Sequence, residues 1–231
     1  MRSSPIVTID GPAGAGKSTI ARLLANALGY VLVDTGAIYR AVALAARESG
    51  IDWNDAEQMG SLAASLVARS AISFERVDST GLRVLIESKD VSEVIRSPEI
   101  ARGASLVSAH AGVRDALLEM QRRTGRDGGV VLEGRDIGTV VFPDAEVKFF
   151  LTARPEVRAR RRFDELKSKG AAVSYEETLR EVSLRDKQDT MRAVAPLRQA
   201  ADAIVVDDSD SSIEETAALM TAHVRSRSAL G

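Results

Sequence analysis

Residues 11–18 are the part of the chain that most restricts its fold. They read Gly-Pro-Ala-Gly-Ala-Gly-Lys-Ser and match the pattern G-x-x-x-x-G-K-[ST] at every defined position. An apolar segment typical of a buried strand, Pro5–Asp10, precedes them, and Lys17–Leu28 has the apolar spacing of a helix. Glycines let the backbone curl so that successive N–H groups face one anion, and a helix N-terminus directs positive charge to the same point. The pattern therefore predicts a phosphate-binding loop, called the phosphate loop below.

Two side chains of the phosphate loop can contact a nucleotide directly. Lys17 can bridge the β- and γ-phosphate oxygens of a triphosphate, and the Ser18 hydroxyl can ligate Mg²⁺. The alternative is a glycine-rich turn that binds nothing, but the pattern and both flanking segments agree on a triphosphate site. We assign the ATP phosphates to Gly11, Pro12, Ala13, Gly14, Ala15, Gly16, Lys17, Ser18 and Thr19.

Composition excludes several kinds of site and partner. The chain has no cysteine and two histidines, so disulfides and thiolate chemistry are excluded and a histidine-built zinc site is disfavoured. Its 31 basic and 33 acidic residues give a formal charge of −2, which argues against a globally basic nucleic-acid binder. Residues 1–5 lack the features of a signal peptide, and no apolar run approaches the roughly 18 residues of a membrane span. We expect a cytoplasmic monomer without a membrane or nucleic-acid partner.

The order of strand and helix patterns indicates an α/β protein. Ser174 with Glu177, and Ser212 with Glu215, match the capping box that starts a helix. Strand-like segments alternate with helical ones, which is typical of a parallel sheet covered by helices: 5–10, 30–34, 129–133, 146–151 and 203–206. We therefore predict a three-layer α/β/α core with a parallel sheet.

The pattern changes between about residues 62 and 104. Ile72–Val77 and Leu82–Glu87 alternate apolar and polar residues on either side of Asp78–Gly81, which predicts an antiparallel hairpin. We interpret this stretch as an insertion into the core. The predicted organisation is a discontinuous core of residues 1–61, 105–153 and 172–231, an inserted domain at 62–104 and a short arginine-rich lid at 154–171.

Arginines supply candidates for holding a second phosphate group. Arg40, Arg135 and Arg192 each lie near the end of a predicted strand or helix, and a guanidinium group can hold a phosphate through two hydrogen bonds. Arg154–Arg162 carries five arginines in nine positions, and such like charges repel one another unless an anion spans them. We predict a mobile lid that closes over the transferring phosphates. A basic helix face and an RNA-binding patch are the alternatives.

Five segments spread along the chain carry a resemblance to a known family. They are Ile9–Thr19, Asp34–Arg40, Glu133–Pro143, Arg185–Leu197 and Ala201–Val206. The first segment alone indicates only a phosphate loop, whereas DTGAIYR together with GRDIGTVVFP is specific. On these segments the chain resembles the bacterial cytidylate kinases, which are P-loop nucleoside monophosphate kinases.

The resemblance implies an activity and a set of site residues. The activity is Mg²⁺-dependent transfer of the γ-phosphoryl group of ATP to CMP or dCMP, and the insertion resembles the enlarged monophosphate-binding domain of the bacterial enzymes. The resemblance assigns cytosine to Ser105, Arg114 and Asp136, the ribose to Arg185 and Asp189, the acceptor phosphate to Arg40, Arg135 and Arg192, and further lining of the site to Thr35 and Tyr39.

The hydrogen-bonding groups of cytosine explain these residue types. Cytosine offers an N4 amino donor beside the N3 and O2 acceptors, so it suits a carboxylate next to arginine or hydroxyl donors, whereas uracil reverses that edge. A site whose buried polar groups are left unpaired by the wrong ligand discriminates by about 10⁴–10⁵. Phosphoryl transfer has a loose transition state that needs positioning and positive charge, for which we expect Lys17, Arg135, Arg192, Arg158 and Arg162.

Several simpler interpretations stay open at this point. Asp136 can be a turn residue after a strand, and Asp189 can pair with Arg185 or Arg192 on one helix face. The chain can be a P-loop kinase for another acceptor, such as UMP, AMP or a hydroxylated metabolite. It can also be a regulatory nucleotide-binding protein that acts on RNA, although only 4% of its residues are aromatic and single-strand binders add stacking platforms. A GTPase is disfavoured because no Asn-Lys pair is present to read guanine.

Overall fold

Strands and helices alternate along most of the chain, as the sequence predicts. The computed structural model describes residues 4–78, 81–168 and 170–228. Its strands are β1 (Ile6–Asp10), β2 (Val31–Asp34), β3 (Ile72–Asp78), β4 (Gly81–Ile86), β5 (Lys89–Asp90), β6 (Val130–Gly134), β7 (Val147–Thr152) and β8 (Ile204–Asp207). Its helices are α1 (Lys17–Leu28), α2 (Thr35–Glu48), α3 (Ala56–Ala68), α4 (Pro98–Val107), α5 (Ala111–Gly125), α6 (Pro155–Ser168), α7 (Tyr175–Met191) and α8 (Ile213–Ser228).

The centre of the molecule is a parallel sheet of five strands in the order β2-β6-β1-β7-β8. Val7 and Ile9 of β1 pack into the layer formed by α1 and α8, whereas Ile6 packs against residues 137–145 on the opposite face. The predicted three-layer α/β/α core is therefore confirmed. The carboxyl ends of all five strands meet at one edge, where open α/β sheets bind their ligands.

Helices α2 to α5 and a small antiparallel sheet, β3-β4-β5, share a second apolar core. The predicted hairpin is confirmed in the register Ile72 opposite Ile86, although Ser79 and Thr80 of its predicted turn lie outside the described residues. Residues 62 and 104, the predicted bounds of the insertion, fall inside α3 and α4. Because α3 packs along α5, the packed unit extends beyond both bounds.

Helix starts follow the predicted capping residues. Ser174 and Glu177 form a reciprocal capping box at α7, and Ser212 and Glu215 make the same pair of contacts at α8. Helix α8 ends at Ser228, and residues 229–231 lie outside the described part. Within the described part, the helices include none that is both long and apolar enough to cross a membrane.

Candidate active site

The phosphate loop curls between β1 and α1, as predicted. Gly14 has a φ of 75° and Gly16, which caps α1, has a φ of 79°, a conformation that residues with side chains rarely adopt. A Cβ at Gly11 would lie 1.9 Å from the carbonyl oxygen of Leu151, because the loop crosses the end of β7. The loop therefore requires glycine both for its conformation and for its close approach to the sheet.

Lys17 lies inside the loop rather than in solvent. Its side chain is buried, and Nζ donates a hydrogen bond to the carbonyl oxygen of Pro12 at 2.7 Å. Burial lowers the pKa of Lys17, the charge of Arg135 lowers it further, and Glu133 opposes this change. The ammonium group is thus poorly compensated and suited to take phosphate oxygens as partners.

Glu133 lies beside the phosphate loop, although no sequence motif predicted it as a site residue. It is the fourth residue of β6, and its Oε2 accepts a hydrogen bond from Ser18 Oγ at 2.9 Å. Burial raises its pKa and Asp34 raises it further, while Lys17 and Ser18 lower it. The carbonyl oxygen of Glu133 accepts a hydrogen bond from Thr35 Oγ1 at 2.7 Å. The buried Thr35 hydroxyl therefore binds the end of β6 and does not line an open surface. The available signal was a carboxylate at the end of a strand predicted to be parallel to β1.

The donors suited to a metal ion are few. Among the described residues there is no group of three or more His, Cys, Asp or Glu side chains placed to hold one. The Ser18 hydroxyl and the Glu133 carboxylate are hard oxygen ligands that lie together at the start of α1. Mg²⁺ keeps several waters and shares phosphate oxygens in nucleotide sites, so one or two protein oxygens suffice.

Asp136 lies at the centre of a second polar cluster, and it is 4% exposed. One of its oxygens pairs with Arg114 of α5, and the other accepts a hydrogen bond from Arg192 Nη2 at 3.3 Å. The guanidinium of Arg114 also lies 5.4 Å from the ring centre of Tyr39. Asp136 is therefore more than a turn residue, because two arginines share its buried carboxylate.

Neighbouring contacts connect this cluster to the helix ends. Ser108 donates from Oγ to the carbonyl oxygen of Ser105 at 3.0 Å, and its own carbonyl oxygen accepts a hydrogen bond from Arg114 at 3.2 Å. Arg192 Nε donates to the carbonyl oxygen of Ala195 at 2.6 Å, just beyond α7. Ser105, Arg114 and Arg192 thus lie in one connected region, although Ser105 reaches it through backbone.

The arginines beside these two clusters outnumber their carboxylate partners. Arg135 Nε donates to Asp189 at 2.7 Å. The hydrogen-bonded partner of Asp189 therefore lies just after β6 and not on α7, the helix that carries Asp189. Burial lowers the pKa of Arg185 to about 10, and the charges of Arg135, Arg162 and Arg40 contribute. The Nε atoms of Arg185 and Arg40 are buried without a hydrogen-bond partner among the described residues. Buried donors without acceptors are costly, and an anion bound beside these arginines would supply the missing acceptors.

Every arginine of the 154–162 segment has a partner within the chain. The segment starts α6, which packs along α7. The expectation that only an anion could offset these five charges is therefore wrong. The partners are Asp210 for Arg154, Asp186 for Arg158, the Tyr175 ring for Arg160, Asp208 for Arg161 and Glu165 for Arg162.

Arg158 contacts the phosphate loop from outside. Its side chain is buried, and Nη1 donates to the carbonyl oxygen of Ala13 at 3.0 Å. Nε donates to the carbonyl oxygen of Ala153 at 2.8 Å, and Nη2 donates to Asp186 at 2.7 Å. The guanidinium group therefore joins the phosphate loop, the end of β7 and helix α7.

We expect Arg158→Lys to weaken ATP binding about tenfold and to lower the free energy of unfolding by about 2 kcal/mol. Lysine keeps the charge but loses the planar fork that reaches three partners at once. Calorimetric titration with ATP and chemical denaturation measure the two effects. The matched control is Arg160→Lys, an exposed position on the same helix, which should change affinity less than about twofold. Equal effects at both positions would contradict a loop-bracing role.

Comparison with known proteins identifies the family to which this geometry belongs. The family model described as cytidylate kinase matches residues 7–226. The chain belongs to the cytidylate kinase family. A cytidylate kinase from Geobacter sp. (strain M21) is 52% identical over 226 residues, which cover 98% of this chain and 95% of that protein. Another from Geobacter sulfurreducens is 51% identical with the same coverage.

A solved structure supports the fold independently of these cytidylate kinases. An uncharacterized protein from Eubacterium ventriosum matches with a TM-score of 0.52 at 12% identity, covering 96% of this chain and 99% of that one. At this identity the match shows the fold alone. The family membership confirms the resemblance predicted from the five segments, and it makes the chain a kinase of the nucleoside monophosphate class.

Proposed function

We propose that this cytidylate kinase transfers the γ-phosphoryl group of Mg²⁺-bound ATP to CMP or dCMP, giving CDP or dCDP. One observation carries the proposal in detail: the arginine cluster with unpartnered buried Nε atoms is within electrostatic reach of Lys17 through Arg135 and Arg185, and it is connected to Asp136 through Asp189 and Arg192. An anion held there would be within reach of Lys17 on one side, and its attached base would be within reach of Asp136 on the other. We also propose the cytoplasm as its compartment.

On the donor side, the backbone N–H groups of the phosphate loop and Lys17 would bind the ATP phosphates. Lys17 then exchanges the Pro12 carbonyl oxygen, which it contacts at 2.7 Å, for the β- and γ-phosphate oxygens. Ser18 would ligate Mg²⁺, and Glu133 would orient the Ser18 hydroxyl and the surrounding water. When bound, Mg²⁺ offsets charge on the phosphates.

On the acceptor side, the Asp136 cluster would recognise cytosine. The carboxylate accepts from the N4 amino group, while Arg114 donates toward N3 and O2. Asp136 already accepts hydrogen bonds from Arg114 and Arg192, so its carboxylate is arranged as an acceptor. Uracil presents an acceptor at the same place, which leaves both partners unsatisfied.

The acceptor phosphate would be held by Arg40, Arg135 and Arg192, and the adjacent Arg185 would hold the ribose. One phosphate oxygen attacks the γ-phosphorus in line while the bond to the β-phosphate oxygen breaks. A monophosphate is largely ionised near pH 7, its second pKa being about 6, so the site needs no strong general base. Its task is to align the two phosphates, exclude water and supply positive charge. Asp189, bonded to Arg135, would also hold the ribose.

We propose residues 154–171 as a lid in which two arginines differ in role. Arg162 pairs with Glu165 at 2.8 Å on an open surface, and such exposed pairs are worth about 0–1 kcal/mol. Arg162 can therefore leave its partner cheaply and turn to the transferring phosphates. Arg158 is fully engaged with the phosphate loop, so it would act on the reaction by holding the loop. The insertion predicted at residues 62–104, together with the parts of α3 and α4 that continue it, would serve as the monophosphate-binding domain.

A panel of acceptors tests the proposed substrate class. ADP release is measured with CMP, dCMP, UMP and AMP as acceptors at fixed Mg²⁺ and ATP. We expect kcat/KM for the preferred cytosine nucleotide to exceed that for UMP and AMP by at least about 10², because the wrong base leaves buried charges unpaired. Removal of Mg²⁺ by EDTA should abolish turnover with every acceptor. Equal rates with UMP and CMP would refute the assignment of Asp136 to cytosine.

A further inference from the structure

Asp10 connects the phosphate loop to the acceptor side of the sheet. It is the last residue of β1, directly before Gly11, and its side chain is buried. Oδ1 accepts the backbone N–H of Ile137 at 2.8 Å, and Oδ2 accepts that of Gly138 at 2.7 Å. Neither the phosphate-loop pattern nor the acceptor residues implied by the family resemblance include Asp10.

The two N–H groups belong to the turn that carries Asp136. Residues 137–141 form a single π-helical turn after β6, and the carbonyl oxygen of Asp136 accepts the N–H of Val140 at 2.9 Å. Asp10 therefore binds the two residues that follow Asp136, and fixing them fixes the direction of the Asp136 side chain. Arg135 immediately precedes Asp136 on the same stretch of backbone.

The turn packs closely against the sheet at Gly138. A Cβ at Gly138 would lie 2.9 Å from Thr8 Oγ1 and 3.2 Å from Lys148 Cδ. The backbone of the turn thus rests directly on β1 and β7, and the Asp10 carboxylate is within reach only because position 138 has no side chain.

We propose that Asp10 is a positioning residue for the acceptor nucleotide, because its carboxylate holds the turn that presents Arg135 and Asp136 at a fixed place relative to the phosphate loop. This inference rests on the proposed function, since it takes Asp136 to bind cytosine. Asp10 itself touches neither substrate. Its effect should therefore fall on the acceptor and not on ATP.

The electrostatics of Asp10 give the inference a pH signature. Burial raises its pKa to about 6, the two backbone N–H groups oppose this, Asp136 raises the pKa and Lys17 lowers it. Two further charged side chains lie next to the turn: Lys148 of β7, and Arg122 of α5, which donates to the carbonyl oxygens of Val141 and Val140 at 3.1 and 3.2 Å. Below pH 6 the carboxyl becomes protonated and loses one of its acceptor oxygens, so the turn should be held less firmly. Above pH 6 both bonds are present.

The first test variant is Asp10→Asn. Its amide group turns a donor toward one of the two N–H groups and breaks that bond. We expect KM for CMP to rise about tenfold or more, while the Kd for ATP stays within about twofold. The matched control is Thr8→Val on the same face of β1, whose hydroxyl has no hydrogen-bond partner among the described residues and which should leave both constants within about twofold.

A second variant keeps the inference testable if Asp10→Asn does not fold. Gly138→Ala retains the carboxylate but displaces the turn through its new Cβ, so KM for CMP should again rise with ATP affinity kept. Folding is checked by thermal melting and by fluorescence of Trp53, the single tryptophan. The KM for CMP of Asp10→Asn is divided by that of the wild type at each pH, because protonation of CMP and of other site groups affects both proteins and cancels in this ratio. The ratio should fall toward 1 below pH 6, where the wild-type Asp10 carboxyl is itself protonated.

The outcomes separate this inference from the proposed function. If Asp136→Asn alters CMP use but Asp10→Asn and Gly138→Ala leave KM for CMP within twofold, the positioning role is refuted and the proposed function stands. Equal weakening of ATP and CMP by Asp10→Asn also refutes it, because a general distortion of the phosphate loop would do the same. If Asp136→Asn itself has no effect on CMP, the proposed function fails first.

Discussion

Lys17→Met is expected to lower kcat by about 10²–10⁵-fold without unfolding the protein. The Lys17 ammonium is the one cation that the phosphate loop itself carries, and it is buried against the Pro12 carbonyl oxygen at 2.7 Å. Methionine has a similar length but cannot offset charge that develops on the transferring phosphoryl group. Backbone N–H groups still hold the ATP phosphates in the variant, so kcat should fall more than ATP affinity.

Stability separates a chemical role of Lys17 from a structural one. Burial lowers the pKa of Lys17 because the charged form is poorly solvated, so removing the charge should change the free energy of unfolding by less than about 1 kcal/mol. The control is Lys187→Met, the same change at an exposed position of α7, which should leave kcat within about twofold. A Lys17→Met protein that retains a tenth of the wild-type turnover would contradict the role assigned to Lys17.

The features that the sequence predicted are those that neighbouring residues determine. The phosphate loop follows from its glycines and flanking segments, and the capping box at Ser174 and Glu177 follows from a three-residue spacing. The alternation of strands and helices fixes the layer architecture because parallel strands need a crossover between them. The family resemblance then supplied residues such as Asp136 that no local pattern would select.

The features that it did not predict depend on residues far apart in the chain. Glu133 becomes part of the nucleotide site only because β6 lies beside β1, which brings it to Ser18 across 115 positions. The arginine-rich segment appeared to need an anion because its partners, such as Asp186 and Asp208, come later in the sequence. The predicted bound at residue 62 divides α3, and a change of pattern does not reveal that α3 packs against α5.

Contacts between distant residues also position the two halves of the site relative to each other. A phosphate loop alone binds a triphosphate, but the reaction needs an acceptor at a fixed distance from it. Arg158 of α6 donates a hydrogen bond to the backbone of the phosphate loop, and Asp10 at the end of β1 accepts two hydrogen bonds from the 137–141 turn. Both contacts end on backbone atoms, so substitution of either residue should shift geometry rather than remove a group that touches the phosphates.

Asp136→Asn is expected to lower kcat/KM for CMP by about 10²–10³-fold and to reduce the preference for CMP over UMP by at least about 10². The present carboxylate accepts hydrogen bonds, and Arg114 and Arg192 both pair with it. An amide group in its place can donate to O4 of uracil, where cytosine carries its amino group. The variant should therefore lose more with CMP than with UMP, and coupled ADP release with both acceptors measures the ratio.

Asp189→Asn is the control that separates base recognition from a general loss of buried charge. Asp189 is also a buried carboxylate bonded to an arginine, at 2.7 Å from Arg135, but it is assigned to the ribose. Its substitution should lower kcat/KM for CMP and UMP by similar factors, because both nucleotides carry the same sugar. If Asp136→Asn also lowers the two by equal factors, then its carboxylate supports the arginines without reading the base, and the selection of cytosine must be sought among Ser105, Arg114 and the residues around them.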